Sequence, residues 1–232
     1  MILLSKEELQ NQLPSLLEKY PNLKVIKQTE NQVDIAGRIQ INRASEVISV
    51  YQEYGIEISI PINSDKLPTV RDTERYIKKY THLSSDKNFC LATDTDMYLR
   101  FRNGFDLSSW MEDYVELYFV SYEYYKRYGA FPFGERAHGS NGILEFYRDY
   151  FKLSTLYQAS DIIVYIANKR YKGHHLCPCG SNKKLRDCHK DEILSSIQDD
   201  FFLNLIRKDL EYIERERKSA KNNRTPKRNT NA

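Results

Sequence analysis

The sequence predicts an α+β protein in which an antiparallel sheet with flanking helices is followed by a small cysteine- and histidine-rich module and a helix. Two patterns lead to this fold class. Apolar residues alternate along neighbouring segments near the N-terminus, whereas apolar spacings of three and four residues dominate the second half of the chain. Three of the four cysteines lie in one short polar segment.

The first element is a predicted helix in SKEELQNQLPSLLEKYP. Ser5 and Glu8 have the spacing of a capping box, in which each side chain bonds the backbone N–H of the other. Pro14 is expected to kink this helix or to split it in two, because proline removes a backbone hydrogen bond. The leucines follow helical spacing: Leu9, Leu13, Leu16 and Leu17.

Strands are predicted next. In QVDIAGRIQIN and GIEISIPI the isoleucines fall on alternate positions, which is typical of strands with one face on a core. LKVIKQTE forms a further strand before them, with a turn near Glu30 and Asn31. Short connections favour an antiparallel meander with helices on one side.

Residues 64–96 lack periodicity and are interpreted as a long loop that contains Cys90. Helical spacing returns in DLSSWMEDYVELYFVSYEYYKRYG, where Ser109 and Glu112 have the spacing of a second capping box. Further helices are predicted in ILEFYRDYF and STLYQASDIIVYIANKR. The helix predicted in DLSSWMEDYVELYFVSYEYYKRYG carries a stripe of tyrosines, which is interpreted as part of the core and its rim: Tyr114, Tyr118, Tyr122 and Tyr125.

The composition is that of a soluble globular protein, with 41% hydrophobic and 29% charged residues among 232. The net charge of +3 does not by itself indicate a polyanionic partner. MILL is too short for a secretory signal, and the run ASDIIVYIA is too short for a membrane span. A reducing cytoplasmic location is therefore expected, where clustered cysteines indicate metal binding before disulfides.

The segment CPCGSNKKLRDCH has the residue types of a zinc site. Gly180 and Ser181 permit a tight turn that aims backbone N–H groups at the sulfurs, and His174 and His175 are competing donors. Four protein ligands complete the tetrahedron that zinc prefers and leave no open position, so the ion is expected to be structural. The four candidate ligands are Cys177, Cys179, Cys188 and His189.

This segment resembles the SEC-C motif, a small zinc-binding module with a Cys-Pro-Cys-Gly-Ser opening and a Cys-Cys or Cys-His ending. Lys183 and Lys184 fit its basic middle. SEC-C modules accompany many different proteins, so the resemblance implies zinc without fixing an activity. A C-terminal helix at residues 193–218 is expected to pack on the module or on the main domain, and the basic residues 219–232 are expected to be a disordered tail.

Cys90, in the sequence NFCLATDTD, lies outside this cluster. A lone cysteine between Phe89 and Leu91 is most often a small buried residue. Its place in a loop after the strands, with His82 upstream in THLSSDKNFC, favours a nucleophile instead. The residues alone leave both interpretations open.

The order of elements resembles that of the ubiquitin-conjugating (UBC-like) enzymes. IEISIPINSDKLPTV is similar to their last strand and proline segment, THLSSDKNFCLAT to their His-Pro-Asn loop and catalytic cysteine, and Trp110 to the tryptophan that opens their next helix. GERAHGSNGILEFY is similar to a His-Gly segment of bacterial members found in CBASS antiviral operons. The predicted boundaries are a UBC-like domain at 1–170, a zinc module at 171–192, a helix at 193–218 and a tail at 219–232.

This resemblance implies a transferase with Cys90 and His82 as catalytic residues. Cys90 takes the C-terminal carboxyl group of a partner protein as a thioester and passes it to an amine. The likeness to CBASS proteins implies a cyclic-oligonucleotide synthase as that partner. No Gly-rich nucleotide loop is evident in the sequence, so a separate enzyme is expected to activate the carboxylate.

The sequence departs from the family at the residue that supports the oxyanion. His82 is followed by Leu83 and Ser84, so Ser84, Asn88 or a backbone N–H is expected to replace the family's Asn. His138 is a second candidate near the site, or a turn residue before Gly139. The alternative function is a catalytically inactive zinc-containing adaptor that binds protein, or nucleic acid through the basic tail.

Overall fold

A computed structural model describes residues 3–44, 48–78, 80–84, 86–132, 137–169 and 171–224. The chain forms two compact units, which we call unit 1 (Met1–Glu135) and unit 2 (Arg136–Ala232). Within the described ranges, no helix combines the length and the apolar character needed to span a bilayer. Most of the predicted tail, residues 225–232, lies outside the described residues.

Unit 1 begins with a helix and a four-stranded antiparallel sheet. The elements are α1 (Lys6–Lys19), β1 (Leu23–Gln28), β2 (Gln32–Ala44), β3 (Ser49–Pro61) and β4 (Thr69–Asp72). Adjacent strands are hydrogen-bonded in the order β1-β2-β3-β4, which confirms the predicted meander. The fourth strand was not predicted, because Val70 is its one buried residue and four residues are too few to display alternation.

Helix α1 confirms the expected capping box at its start and excludes one of the two effects expected of Pro14. Ser5 and Glu8 form the predicted capping box, with Ser5 N–H donating to Glu8 Oε2 at 2.7 Å and Glu8 N–H to Ser5 Oγ at 3.2 Å. The expected split at Pro14 is wrong, because α1 runs unbroken through it. Burial of Leu9 and Leu16 in the core offsets the hydrogen bond that proline removes.

The sheet presents one face to the core. Ile35 of β2 lies opposite Ile58 of β3, and both are completely buried. Gly37 lies at a close approach between the start of β1 and β2, because a Cβ added there would be 2.0 Å from the Asn22 carbonyl oxygen. The buried side chains of the sheet, α1 and the later helices of unit 1 form one continuous cluster.

A long helical segment completes unit 1. After α2 (Asp94–Arg100), α3 (Leu107–Trp110) continues through π-helical turns at Met111–Glu116 into α4 (Leu117–Tyr128). The predicted capping box at Ser109 and Glu112 is wrong, because the helix starts earlier and Asp106 caps it by accepting the Ser109 N–H at 2.6 Å. Tyr118 and Tyr122 are buried, which confirms the core interpretation of the tyrosine stripe.

Unit 2 contains α5 (Gly139–Tyr150), α6 (Leu156–Ala167), α7 (Lys190–Gln198) and α8 (Asp200–Arg224), with the cysteine-rich module between α6 and α7. The predicted boundary at residue 170 therefore differs from the observed one, because α5 and α6 pack with α8 and with each other. The single predicted helix at 193–218 is two helices separated at Asp199, whose backbone is extended. Residues 219–224, predicted as tail, continue α8.

Candidate metal centre and candidate nucleophile

The four predicted metal ligands converge in unit 2. Their ligand atoms all lie within 4.8 Å of one another. The Cys179 and Cys188 sulfurs are 3.6 Å apart, and His189 Nδ1 lies 3.2 Å from the Cys188 sulfur and 3.4 Å from the Cys177 sulfur. Two ligands precede a 3₁₀ turn at Leu185–Asp187 and two follow it. The short segment between Cys179 and Cys188 therefore brings the two pairs of ligands together.

Three of the six separations in the cluster are close to those of a tetrahedral site. Metal–ligand distances of about 2.3 Å for sulfur and about 2.05 Å for nitrogen imply S–S edges of about 3.8 Å and S–N edges of about 3.6 Å. The three separations differ from these edges by about 0.4 Å or less. The remaining separations are at most 4.8 Å, so shifts of about 1 Å or less bring all four ligand atoms to a tetrahedral ion. The three thiols and one imidazole are consistent with zinc.

The turn that carries the first two sulfurs directs backbone N–H groups at them, and it lowers the pKa of Cys179 only, since burial raises the pKa of the Cys177 thiol to about 12. Gly180 has a φ of +76°, which side-chain-bearing residues rarely adopt, and its N–H donates to the Cys177 carbonyl at 3.1 Å. Burial alone would raise the pKa of the Cys179 thiol, but hydrogen bonds, among them those from the Ser181 hydroxyl and backbone N–H, lower it. The expected donation of backbone N–H groups to sulfur is therefore present.

His189 is held by a contact from α5. Its Nδ1 faces the sulfurs, while Nε2 lies 3.3 Å from the carbonyl oxygen of Phe151, the residue that ends α5. A proton on Nε2 donates to this carbonyl and leaves the lone pair of Nδ1 for the ion. The carbonyl thus selects the tautomer that ligates.

Gln158 connects the module to α6. Its Nε2 donates to the Cys179 carbonyl oxygen at 2.7 Å. Its Oε1 accepts the backbone N–H of Thr155 at 3.1 Å, while Thr155 Oγ1 accepts the Gln158 N–H at 3.2 Å, so the residue also belongs to the capping box of α6. Sequence reasoning missed Phe151 and Gln158, because a Thr-x-x-Gln pattern signals the cap but not the second contact.

The competing histidines do not join the cluster. His174 and His175 are exposed, and their ring centroids are 4.6 Å apart. Backbone bonds hold this segment instead, since Leu185 N–H donates to the His175 carbonyl at 2.8 Å.

In comparisons with known proteins, the SEC-C motif model matches residues 176–191, which include all four ligands. No curated protein and no solved structure matches the chain. The match therefore supports metal binding by the module and leaves unit 1 to be interpreted from its own geometry.

Cys90 lies in unit 1, beside the edge strand of the sheet. Phe89 N–H donates to the Val70 carbonyl of β4 at 2.8 Å, and Cys90 N–H donates to the His82 carbonyl at 2.9 Å. Leu83 pairs with Phe89 in a short antiparallel bridge. These bonds fix the backbone at Cys90, while its side chain stays partly exposed.

The two predicted catalytic residues meet through this backbone hydrogen bond. The His82 carbonyl also accepts the Tyr118 hydroxyl at 3.0 Å, and the His82 ring lies 5.3 Å from the Tyr80 ring and 5.1 Å from the Phe131 ring. Burial raises the pKa of the Cys90 thiol above its ordinary value. The resting thiol is therefore protonated near neutral pH.

The other candidates lie in two different places. Ser84 and Asn88 stabilise the turn before Cys90, since Ser84 Oγ accepts the Asn88 N–H at 3.0 Å and Ser84 N–H donates to the Asn88 carbonyl at 2.9 Å. His138 lies in unit 2 as the exposed residue before α5, the place of a turn residue.

A groove of about 880 Å³ lies beside β4 and the loop that follows it. Arg71 in this groove is paired with Glu57, with its Nη2 2.7 Å from both carboxylate oxygens. Three further cations line the groove and have no ion-pair partner in the part of the chain that the structure describes: Arg75, Lys78 and Lys87.

Proposed function

We propose that unit 1 is a ubiquitin-conjugating-like transferase in which Cys90 forms a thioester with the C-terminus of a partner protein and passes it to an amine. The placement of Cys90 carries this proposal. Its partly exposed thiol follows a bonded turn at the sheet edge. The element order of helix, meander, cysteine loop and helix is the order that the family resemblance implies.

The reaction has two bond exchanges. The Cys90 thiolate attacks an activated C-terminal carbonyl, a C–S bond forms and the activating group leaves. The amine then attacks the thioester carbonyl, a C–N bond forms and the thiol is released. Because burial raises the pKa of the Cys90 thiol, a base must accept the proton as sulfur attacks.

His82, Ser84 and Asn88 have proposed supporting roles. His82 orients the Cys90 backbone through its carbonyl, and Ser84 and Asn88 hold the turn from which an oxyanion donor would come. The activated acyl group comes from a separate enzyme. On the family resemblance, the conjugated partner is a cyclic-oligonucleotide synthase of an antiphage system, and the reaction takes place in the cytoplasm.

We also propose that the ion of unit 2 is a structural zinc. Three sulfurs and one nitrogen occupy all four tetrahedral positions, so no position is open for a substrate or a water.

Intact mass of protein co-expressed with its neighbouring genes and purified without reductant tests the transferase. We expect a protein-sized adduct that dithiothreitol removes from the wild type. With Cys90→Ser the adduct is an ester that resists dithiothreitol, and with Cys90→Ala it is absent. An adduct that persists in Cys90→Ala would refute the assignment of Cys90.

The groove favours a second candidate function, an inactive adaptor. Among its described lining residues, four cations (Arg71, Arg75, Lys78 and Lys87) outnumber three carboxylates (Glu57, Asp72 and Asp86), and this excess of positive charge suits an acidic surface of a partner protein. Absence of any Cys90 adduct when the neighbouring genes are co-expressed would support the adaptor over the transferase.

A further inference from the structure

We propose that Gln158 is a positioning residue for the metal site, which couples ion affinity to the start of helix α6. Nothing in the SEC-C match includes this residue, because the match begins at residue 176. The proposal is independent of the chemistry at Cys90.

The hydrogen bond from Gln158 acts on the peptide group that shapes the ligand turn. The Cys179 carbonyl oxygen that accepts it at 2.7 Å belongs to the same peptide plane as the Gly180 N–H. That N–H donates to the Cys177 carbonyl at 3.1 Å, and Gly180 has the left-handed backbone of the turn. Holding the carbonyl therefore holds the turn that places two sulfurs and directs the Ser181 N–H toward Cys179.

A second hydrogen bond reaches the same connection from the other half of the cluster. His189 Nε2 lies 3.3 Å from the Phe151 carbonyl oxygen, and Phe151 ends α5 shortly before Thr155, which with Gln158 caps the start of α6. The α5–α6 connection thus contacts one ligand residue on each side of the 3₁₀ turn. A bound ion closes a ring through Cys179, His189 and this connection, so it stabilises the connection as well as the module.

Loss of an outer hydrogen bond of this kind typically weakens metal binding by about 10- to 100-fold. Gln158→Glu tests it selectively. Glutamate keeps the acceptor that the capping box needs and adds a favourable negative charge at the start of α6, but at neutral pH it has no N–H for the Cys179 carbonyl. The matched control is Thr155→Val, which removes the cap acceptor and keeps the Gln158 amide.

The measurement is Zn²⁺ affinity of the full chain by competition with a chromophoric chelator, with Co²⁺ absorption to report the ligand set. We expect Gln158→Glu to raise the dissociation constant about 10-fold or more while the tetrahedral Co²⁺ bands persist. Thr155→Val is expected to lower thermal stability and to change the dissociation constant less than Gln158→Glu does.

Two results would overturn the proposal. Wild-type affinity in Gln158→Glu would mean that the hydrogen bond does not position the site. Equal weakening in both variants would mean that affinity follows only the stability of α6.

Discussion

In unit 1 the sheet and its covering helices share one continuous cluster of buried apolar side chains, whereas the ligand-bearing segment of unit 2 has almost none. Within residues 171–189, Cys177, Cys179 and Leu185 are the buried residues of the described chain. Unit 1 can therefore be stabilised by apolar burial, but this segment of unit 2 cannot.

The difference shows how a short polar segment can still adopt one structure. Three sulfurs and an imidazole take the place of the missing core. The hydrogen bond that the Phe151 carbonyl accepts from His189 and the one that Gln158 donates to Cys179 take the place of the packing that side chains supply in unit 1. Because ligands of a structural ion are rarely preformed in an unfolded chain, ion binding contributes directly to the folding free energy of such a segment.

Removal of the ion is expected to have the largest effect and to affect unit 2 without affecting unit 1. Structural zinc sites contribute on the order of 10 kcal/mol, so a strong chelator should unfold the module and lower the helix content of unit 2. Trp110, the single tryptophan of the chain, is fully buried in unit 1 and should keep its emission. Far-UV circular dichroism and tryptophan fluorescence during a chelator titration check this.

A red shift of Trp110 emission on chelation would show that unit 1 also loses structure, and an unchanged helix content would show that unit 2 does not depend on the ion. Either result would contradict the prediction. Cys188→Ser provides a genetic version of the same experiment, because it removes one of the four ligands.

A substitution in the core of unit 1 should lower the stability of unit 1 and leave the zinc affinity of unit 2 unchanged. Ile58→Ala is expected to cost about 2–5 kcal/mol of unfolding free energy, because Ile58 is completely buried and the substitution leaves a cavity. Denaturant unfolding monitored at Trp110 measures the loss. Ile26→Ala, at a position 57% exposed, is the matched control and should change stability by less than about 0.5 kcal/mol. A weaker zinc affinity in Ile58→Ala would show that the units do not fold separately.

Two glycines provide a smaller, matched comparison. Gly129 after α4 and Gly180 in the ligand turn have φ of +65° and +76°, and an added Cβ meets open space at both. Alanine at either position costs roughly 1–2 kcal/mol, which is backbone strain alone. Gly180→Ala should weaken zinc binding in a chelator competition, whereas Gly129→Ala should lower only the stability of unit 1. Equal zinc affinities would argue that the ligand turn adapts without strain.

Alkylation of Cys90 as a function of pH tests the smallest of these effects. Since burial raises the pKa of its thiol, labelling by iodoacetamide should be slow at neutral pH and rise as pH passes the ordinary thiol range. The raised pKa of the Cys90 thiol also makes the folding stability depend on pH. The contribution of the buried neutral thiol is complete below the unfolded-state pKa and is lost as pH rises through the folded-state pKa.

Labelling sites are assigned by peptide mass on zinc-loaded protein, in which the ion protects the three ligand cysteines. Fast labelling of Cys90 at neutral pH would contradict a raised pKa and would indicate an activated nucleophile.

Local patterns predicted the features whose partners lie close in sequence. The alternation in β2 and β3, the Ser5–Glu8 box and the Cys-His spacing each involve neighbours within one element or one turn, where geometry follows from spacing. Strand β4 escaped prediction because its pairing with β3 depends on residues elsewhere in the chain. The Ser109 box was wrong because Asp106 offers an earlier cap with the same chemistry.

The sequence by itself determined the α+β composition, the meander and the four ligands of the metal cluster, because hydrophobic period and ligand spacing are local properties. Tertiary structure decided that α5 and α6 belong with the module, that Phe151 selects the His189 tautomer, and that Gln158 holds the ligand turn. It also decided the burial that sets the Cys90 pKa. Each of these depends on which distant groups meet in the folded chain, and hydrogen bonding and desolvation respond to those neighbours rather than to sequence spacing.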